Sequence, residues 1–146
     1  MYTIYVKFDC IQNMREAFIE KIKKEVELGD HKKAFEILVN ELILNNVITS
    51  CDEIKAIGHR TVQGGEKYDH TVIIDDSVID DMVKYSSLAP LHNPAAITGI
   101  KAAKEVFANA LQTAVFDTAF HATMDEVNYI YPVPYEWYTK YGVRKY

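Results

Sequence analysis

Apolar and polar residues at the start of the chain alternate with a period of two. Over residues 2–8 this alternation predicts a strand with one buried face. Over residues 15–28 apolar residues recur every three or four positions, which predicts an amphipathic helix that ends at Gly29. Asp30 is suited to cap a second helix, which is expected to run to about Asn45. The start of the chain is therefore expected to form one strand and two helices.

Three further strands are predicted from apolar runs. Residues 54–62 form such a run, interrupted by Gly58, and residues 70–74 are rich in β-branched side chains. A double glycine at positions 64 and 65 marks a turn between these two strands. The short segment of residues 113–116 is mostly apolar and is predicted to form a buried strand.

Helical patterns separate and follow these strands. A short helix is predicted over residues 78–83, before a loop at residues 88–91. Asn93 followed by Pro94 has the form of an N-cap and a first helical residue, so a helix is expected from there to about Phe107. A last short helix is expected near residues 135–141. Strands that alternate with helices indicate an α/β layered fold, in which ligands bind at the carboxyl ends of the strands.

Composition and charge limit the possible functions. The 146 residues suffice for one domain with a substantial core, so a single domain over residues 1–146 is expected. No apolar run approaches the roughly 18 residues needed to cross a bilayer, and the N-terminus lacks the features of a secretory signal. A cytoplasmic protein without membrane contact is therefore expected. The formal net charge of −5 argues against nucleic-acid binding, which depends on clustered Lys and Arg.

The two cysteines, Cys10 and Cys51, lie far apart and lack the spacing of a disulfide framework or a zinc site. They are expected to be free thiols, buried or half-buried.

Arg60 lies near the end of a predicted strand, beside the double-glycine turn. Its planar guanidinium matches a carboxylate or a phosphate in two-point contact, so an anion site is a plausible interpretation. The alternative, which is more frequent for an arginine in general, is that Arg60 pairs with a nearby Glu or Asp.

Asp117 follows a predicted buried strand, at the position from which α/β enzymes present metal ligands or bases. It is a candidate for orienting a magnesium ion or a nucleophile. The alternative is an N-cap that accepts from the amides of Ala119 or Phe120. His121 can share a helix face with Asp117, but two residues alone make a poor metal site.

The loop at residues 88–94 contributes a third candidate segment. Asn93 and Pro94 are explained as capping residues, whereas His92 has no such explanation, although a lone loop histidine is usually exposed or structural. The other histidines singled out, at positions 31, 59 and 70, are interpreted as structural. The aromatic residues between positions 129 and 141 are interpreted as packing a domain edge rather than as a stacking platform.

Three segments together carry a resemblance to a known family. They are GHRTVQGGEKY at 58–68, LAPLHNPAAITGI at 88–100, and VFDTAFHATM at 115–124 followed by YIYPVPYEWYTKYGVRKY at 129–146. In this order and spacing they resemble the acetate kinase family. The resemblance implies a partial actin-like, sugar-kinase-like (ribonuclease H-like) domain with a mixed sheet and flanking helices.

The resemblance also implies an activity. Such kinases transfer the γ-phosphoryl group of ATP to acetate, which gives acetyl phosphate and ADP, and they require Mg²⁺. They act as cytoplasmic homodimers.

The resemblance assigns roles to individual residues. The family's arginine matching Arg60 contacts the carboxylate and the transferred phosphoryl group, and the aspartate matching Asp117 is catalytic and associated with the metal. The residues matching Val62 and Leu91 line an apolar pocket for the acetate methyl group, and the residue matching His92 lies near the active site.

The sequence also departs from the family pattern. Gln63 replaces the histidine usual beside the double glycine, which puts the local hydrogen bonding in question. The family's opening phosphate-binding strand is not recognisable in residues 1–29, and its Gly-Phe-His-Gly-Thr-Ser-His segment and adenosine domain do not follow Tyr146. The chain is therefore expected to correspond to the N-terminal, acyl-substrate half of an acetate kinase, without the C-terminal nucleotide domain.

Three hypotheses follow from these observations. The first is a partial acetate kinase that does not turn over ATP efficiently alone; its partners would be acetate or a short-chain carboxylate, ATP, and either a second copy or a complementary C-terminal chain. The second is a non-catalytic module that binds a small carboxylate or a partner and retains the kinase fold. The third is an incomplete product that self-associates through an exposed apolar face.

Overall fold

The computed structural model of the protein describes the backbone of residues 2–10 and 18–26, and both backbone and side chains of residues 30–146. The chain divides into two compact units. The first comprises Met1–Ile57 and Thr98–Leu111, and the second comprises Gly58–Ile97 and Gln112–Tyr146. The single domain expected over residues 1–146 stays a prediction.

The chain opens with an antiparallel pair of strands, β1 (Tyr2–Cys10) and β2 (Phe18–Val26), in which Tyr2 lies opposite Val26. The first strand is therefore confirmed, whereas the helix predicted over residues 15–28 is wrong. Apolar residues at positions 18, 22 and 26 are spaced by four, which suits a helix but is also a multiple of the strand period. Pairing with β1 decides between the two. The helix end predicted at Gly29 lies outside the described residues.

The first helix, α1 (His31–Leu44), begins and ends as predicted. The Asp30 carboxylate accepts from the Lys33 backbone N–H at 2.8 Å, which satisfies one of the free amides of the first turn. Asn45 caps the other end.

One apolar face of α1 packs into the core of the first unit. Val39 lies there with Ala103 and Phe107, and Phe35 meets the Phe107 ring edge-on at 5.7 Å. Cys51 also packs against this cluster, and its thiol donates to a backbone carbonyl oxygen. It is free and half-buried, as predicted, while the side chain of the other cysteine lies outside the described part of the chain.

A three-stranded sheet is formed by β3 (Ala56–Thr61), β4 (Val72–Ile73) and β5 (Leu111–Phe116), in the order β3-β5-β4. β3 and β5 run parallel. The Leu111 N–H donates to the Lys55 carbonyl where both strands begin, and the Thr118 N–H donates to the Val62 carbonyl just after both strands end. β4 is antiparallel to β5, so the sheet is mixed, as the resemblance implied. The strands predicted at 54–62 and 113–116 are confirmed, and the one at 70–74 shortens to two residues.

The described residues form four further α-helices. They are α2 (Asp76–Lys84), α3 (Asn93–Val106), α4 (Glu126–Tyr129) and α5 (Glu136–Tyr141). α2 is capped by Asp75, whose carboxylate accepts from an amide of its first turn at 2.9 Å. Among the described α-helices, α4 is the one that the sequence pattern missed, and it is a single turn. Within the described ranges, every helix is too short or too polar to span a lipid bilayer.

Asn93 is already the first residue of α3, so the cap position falls one residue earlier and the N-cap predicted at Asn93 is wrong. The residue is fully buried, and its amide forms two hydrogen bonds with the Gln63 backbone: it donates to the carbonyl at 2.9 Å and accepts from the N–H at 3.1 Å. It also donates to the Met82 carbonyl at 3.3 Å. The buried amide therefore joins α2, the start of α3 and the segment that follows β3.

The double-glycine turn is confirmed, and both glycines have a steric reason. A Cβ at position 64 would lie 2.7 Å from the Phe116 ring, so Gly64 permits the turn to approach β5. Gly65 adopts a positive φ of 61°, and its N–H donates to the Gln63 side chain at 2.9 Å. Gln63 thus has a hydrogen-bonding role of its own in place of the family's histidine.

A buried carboxylate fixes α2 to the segment after this turn. Asp81 is 8% exposed, it pairs with Lys67 and Lys84, and it accepts from the Tyr68 hydroxyl at 2.7 Å. These donors, with Lys67 first, hold the pKa of the Asp81 carboxyl well below its ordinary value. Burial and the neighbouring carboxylate raise the pKa of Tyr68. The Tyr68 ring in turn stacks on Phe116 at 4.7 Å.

The substitution Gly64→Ala is expected to lower the free energy of unfolding by about 1–3 kcal/mol, because the new methyl group overlaps the Phe116 ring. Urea unfolding measures the loss. Gly58→Ala is the matched control, since a Cβ there has its nearest neighbour, Thr113 Oγ1, at an ordinary 3.8 Å. Equal stability of the two variants would contradict the proposed steric role of Gly64.

The substitution Asp81→Asn is expected to cost about 1–3 kcal/mol at pH 7, because it removes charge-assisted hydrogen bonds at a buried site. A carboxylate with a lowered pKa stabilises the fold above its ordinary pKa of 3.8, and this contribution is lost as the pH falls through the folded-state value. The difference from wild type should therefore shrink below about pH 4. Urea unfolding at several pH values tests this, with the exposed Asp80→Asn as control; a difference that does not depend on pH would refute it.

Candidate functional site

The parallel strands β3 and β5 end at the same edge of the sheet, and each delivers one charged residue there. Arg60 is the penultimate residue of β3, and Asp117 directly follows β5. The Arg60 Nε and Nη2 atoms donate to the two carboxylate oxygens of Asp117, each at 2.9 Å. Arg60 and Asp117, which were both singled out from the sequence, therefore form one bidentate pair. The acidic partner expected in the alternative interpretation of Arg60 is Asp117.

This pair faces solvent. The Arg60 side chain is 82% exposed and that of Asp117 is 37% exposed. The hydrogen bonds and charge of Asp117 raise the pKa of Arg60, which keeps the guanidinium protonated. Exposed ion pairs contribute little to stability because water screens them. The pair therefore matters for the placement of its two groups more than for the stability of the fold.

Asp117 engages only one edge of the guanidinium. An arginine carries five N–H donors, and the bidentate contact uses the Nε–H and one Nη2–H. Among the described residues, no partner occupies the opposite edge, formed by Nη1 and the second Nη2–H. That free edge has the spacing for a two-point contact with a carboxylate or phosphoryl group.

The segments that follow Arg60 and Asp117 are joined to each other. Thr118 donates its backbone N–H to the Val62 carbonyl at 3.3 Å, and its hydroxyl accepts from the Gly64 N–H at 3.1 Å. Val62 is half-buried, and the bond of its carbonyl to Thr118 places it next to the residue that follows Asp117. Its predicted contact with a methyl group stays a prediction.

Leu91 and His92 lie in the turn that precedes α3. Leu91 is 85% exposed, so it lines no closed apolar pocket in this structure. The His92 side chain is also exposed, and its backbone belongs to the turn that starts the helix. Their neighbour Asn93 connects this turn to Gln63, one residue after Val62. The roles predicted for Leu91 and His92 stay predictions.

The alternatives for Asp117 can be assessed from its contacts. A short 3-10 turn, Asp117–His121, begins at this residue, and no capping bond from a side chain supports its start. The carboxylate bonds Arg60 instead of the amides of Ala119 or Phe120. His121 packs edge-on against Phe120 at 5.2 Å, and among the described residues it forms no bond to Asp117. The capping interpretation of Asp117 is therefore wrong.

The fit of a magnesium ion can be judged from the donor set. The described residues contain no group of three or more His, Cys, Asp or Glu side chains that could hold a metal. Mg²⁺, however, is commonly bound by one or two carboxylates together with phosphate oxygens and water. Each Asp117 oxygen accepts one bond from Arg60 and keeps a further lone pair, so this carboxylate fits as a single protein ligand.

The remaining histidines and aromatics bear on the structural interpretations. His59 is hydrogen-bonded to the Gln112 side chain at 2.6 Å, and His70 pairs with its neighbour Asp69. Both therefore have structural partners. In the C-terminal segment, Tyr138 contacts the rings of two neighbouring tyrosines, which supports packing within this segment.

Sequence reasoning missed a second arginine near the glycine turn. Arg144 donates to the Glu66 carboxylate at 2.7 Å, and its guanidinium lies 3.6 Å from the centre of the Tyr129 ring. Its side chain is only 11% exposed. A cavity of about 110 Å³ lies beside this pair and is also lined by Thr118 and His121. No spacing signal could reveal a contact between residues 78 positions apart.

Comparison with known proteins supports the resemblance. The sequence profile of the Acetokinase family matches residues 5–146. Acetate kinase 2 of Listeria monocytogenes serotype 4b is 51% identical over 127 residues, which are 87% of this chain and 32% of the relative. Acetate kinase of Bacillus cytotoxicus is 54% identical over the same length and the same shares.

Solved structures show the same relationship. A propionate kinase from Francisella tularensis is 42% identical with a TM-score of 0.77, over 86% of this chain and 32% of that protein. An acetate kinase from Porphyromonas gingivalis is 38% identical with a TM-score of 0.78, over 97% of this chain and 35% of that protein. The predicted actin-like α/β fold is confirmed for the part of the domain that this chain covers.

The chain spans about a third of the length of these relatives. Because the family profile matches nearly all of its residues and its curated relatives share about half of the aligned residues with it, this chain belongs to the acetokinase family.

Proposed function

We propose that this chain forms the acyl-substrate side of an acetate kinase. In this proposal it holds acetate or another short-chain carboxylate while the γ-phosphoryl group of ATP is transferred, which gives an acyl phosphate and ADP. The observation that carries the proposal is the Arg60 guanidinium, oriented by Asp117 at the sheet edge and with one two-donor edge free. Family membership supplies the reaction class.

The chemistry of the transfer requires the groups that this site offers. An oxygen of the carboxylate substrate attacks the γ-phosphorus, and the bond from that phosphorus to the bridging oxygen of ADP breaks. Two anions must approach each other, so the reaction depends on positioning and charge neutralisation. The free edge of Arg60 is suited to hold the substrate carboxylate and to neutralise charge on the transferred group.

Asp117 serves this site in two ways in the proposal. It orients Arg60 through the bidentate contact, and its remaining lone pairs make it the protein ligand of Mg²⁺. When bound, the metal ion neutralises negative charge on the nucleotide phosphates.

The choice of acyl chain depends on the apolar residues beside the site. Val62 and Leu91 are proposed to contact the methyl group of acetate, and His92 is proposed to lie close to it. One methylene changes binding by only about 1–3 kcal/mol in such a pocket. Acetate and propionate should therefore be separated incompletely, and the solved relatives include both an acetate kinase and a propionate kinase.

A second candidate is a carboxylate-binding module without catalytic activity. The free guanidinium edge favours it, because that edge can bind a carboxylate without any nucleotide. The two candidates differ in whether ATP binds as well. Self-association, or assembly with a complementary chain that carries the nucleotide site, is part of the first candidate.

The substitution Arg60→Ala is expected to weaken acetate binding about tenfold or more, because a charge-assisted two-point contact is lost. Isothermal titration calorimetry with acetate measures this. Arg60→Lys should recover only part of the affinity, since a lysine keeps the charge but not the planar fork. Lys101→Ala removes an exposed cation elsewhere and is the matched control for net charge.

Equal acetate affinity in wild type and Arg60→Ala would show that the substrate carboxylate binds elsewhere. Titration with ATP and Mg²⁺ separates the two candidate functions. Acetate binding that depends on Arg60 while ATP gives no heat would favour the carboxylate-binding module.

The purified 146-residue polypeptide is expected to form negligible acetyl phosphate from acetate and ATP when tested alone. Phosphoryl transfer requires several groups around the nucleotide phosphates, and among the described residues the site presents one guanidinium and one carboxylate. A hydroxamate assay for acetyl phosphate tests this. Robust turnover without an added polypeptide would refute it.

A further inference from the structure

We propose that Thr118 is a positioning residue that holds Asp117 in register with Arg60. The inference rests on the proposed function, because it concerns the geometry of the proposed carboxylate site. Thr118 directly follows Asp117 and is bonded at two points to the segment that follows Arg60. Its N–H donates to the Val62 carbonyl at 3.3 Å, and its hydroxyl accepts from the Gly64 N–H at 3.1 Å.

The charged pair requires such support because it cannot hold itself in place. The Arg60 side chain is 82% exposed, and an exposed ion pair is only slightly more stable than the two separate, hydrated charges. A long arginine side chain also loses rotamer entropy when it is held in one conformation. A defined free guanidinium edge therefore needs a carboxylate whose own backbone is fixed.

The contacts of Thr118 lie beyond the end of the strand pairing. Within the strands, Thr61 already joins β3 to β5, since its hydroxyl donates to the Val115 carbonyl at 3.2 Å. β5 ends at Phe116, so Asp117 stands one residue past the regular ladder. Thr118 extends the connection across that point, and Asp117 is thus flanked by fixed backbone on both sides.

The Gly64 amide is well placed to be bound by this hydroxyl. Gly64 packs directly against the Phe116 ring, which leaves no room for a side chain and brings the turn close to the end of β5. The next amide, that of Gly65, is already bonded to the Gln63 side chain at 2.9 Å. The hydrogen bond between Gly64 and Thr118 therefore connects the double-glycine turn to the residue that directly follows Asp117.

The first test observes the ion pair itself and needs no ligand. The chain contains three arginines, Arg15, Arg60 and Arg144, so only three Nε–H signals are expected in a ¹H–¹⁵N NMR spectrum. Loss of one signal in Arg60→Lys assigns it. In wild type the Arg60 Nε–H should exchange slowly with water, because it donates to Asp117 at 2.9 Å.

Thr118→Val removes the hydroxyl but keeps the shape of the side chain, and Thr118→Ser keeps the hydroxyl. The Val variant should shift the Arg60 Nε–H signal and accelerate its exchange about tenfold or more, whereas the Ser variant should restore the wild-type signal. Thr71→Val, which changes an exposed threonine away from this contact in the same way, is the matched control and should leave the Arg60 signal unchanged. If the Val variant does not fold, Thr118→Ala provides the same comparison without the β-branched bulk.

The second test measures acetate affinity by calorimetry. Thr118→Val should weaken acetate binding about tenfold, since a small displacement of a binding group has a large effect on a two-point contact. The same substitution should have no further effect in an Asp117→Asn background. An unchanged Arg60 signal in both the Val and Ala variants would overturn the positioning role. If wild type fails to bind acetate while the signal still responds to Thr118, the proposed function fails and the positioning role stands.

Discussion

The parallel pairing of β3 with β5 is the constraint on which the site depends. It brings together two residues 57 positions apart in the sequence, so that a guanidinium and a carboxylate meet at one edge of the sheet. Parallel strands end at the same edge, which explains why the two charges converge without any local sequence relationship. Among the described residues, this contact leaves one edge of Arg60 without a partner, and that is the edge proposed to bind a carboxylate.

Buried polar groups hold the segments that support this edge. Asn93 bonds the backbone of Gln63 from the start of α3, and Asp81 binds three donors that anchor α2. Both groups are satisfied, which a buried amide or carboxylate requires if it is not to destabilise the fold. Gly64 adds a steric element, because its missing side chain permits contact with Phe116. These contacts join α2, the start of α3 and the glycine turn to the segment that follows Arg60.

Family membership supports the reaction class of the functional proposal, and the geometry of Arg60 and Asp117 supports the location of the site. The relatives include acetate and propionate kinases, and the chain spans about a third of their length. The site residues expected from the resemblance divide into two groups. Arg60, Val62 and Asp117 lie where the strands β3 and β5 end. Leu91 and His92 are exposed, and the buried residue that follows them, Asn93, is hydrogen-bonded to Gln63.

The sequence by itself determined the strands β3 and β5, the capped helices α1 and α2, the double-glycine turn and the two charged candidates, because periodicity, capping and turn chemistry are local properties. It could not distinguish a helix from a strand over residues 18–26, since a spacing of four suits both periods and only pairing with β1 decides. It also assigned Asn93 to a helix cap. Only the tertiary structure showed that this side chain binds Gln63 and that Asp117 binds Arg60, because a polar group takes the partner that folding brings nearest, and sequence spacing does not record distance in space.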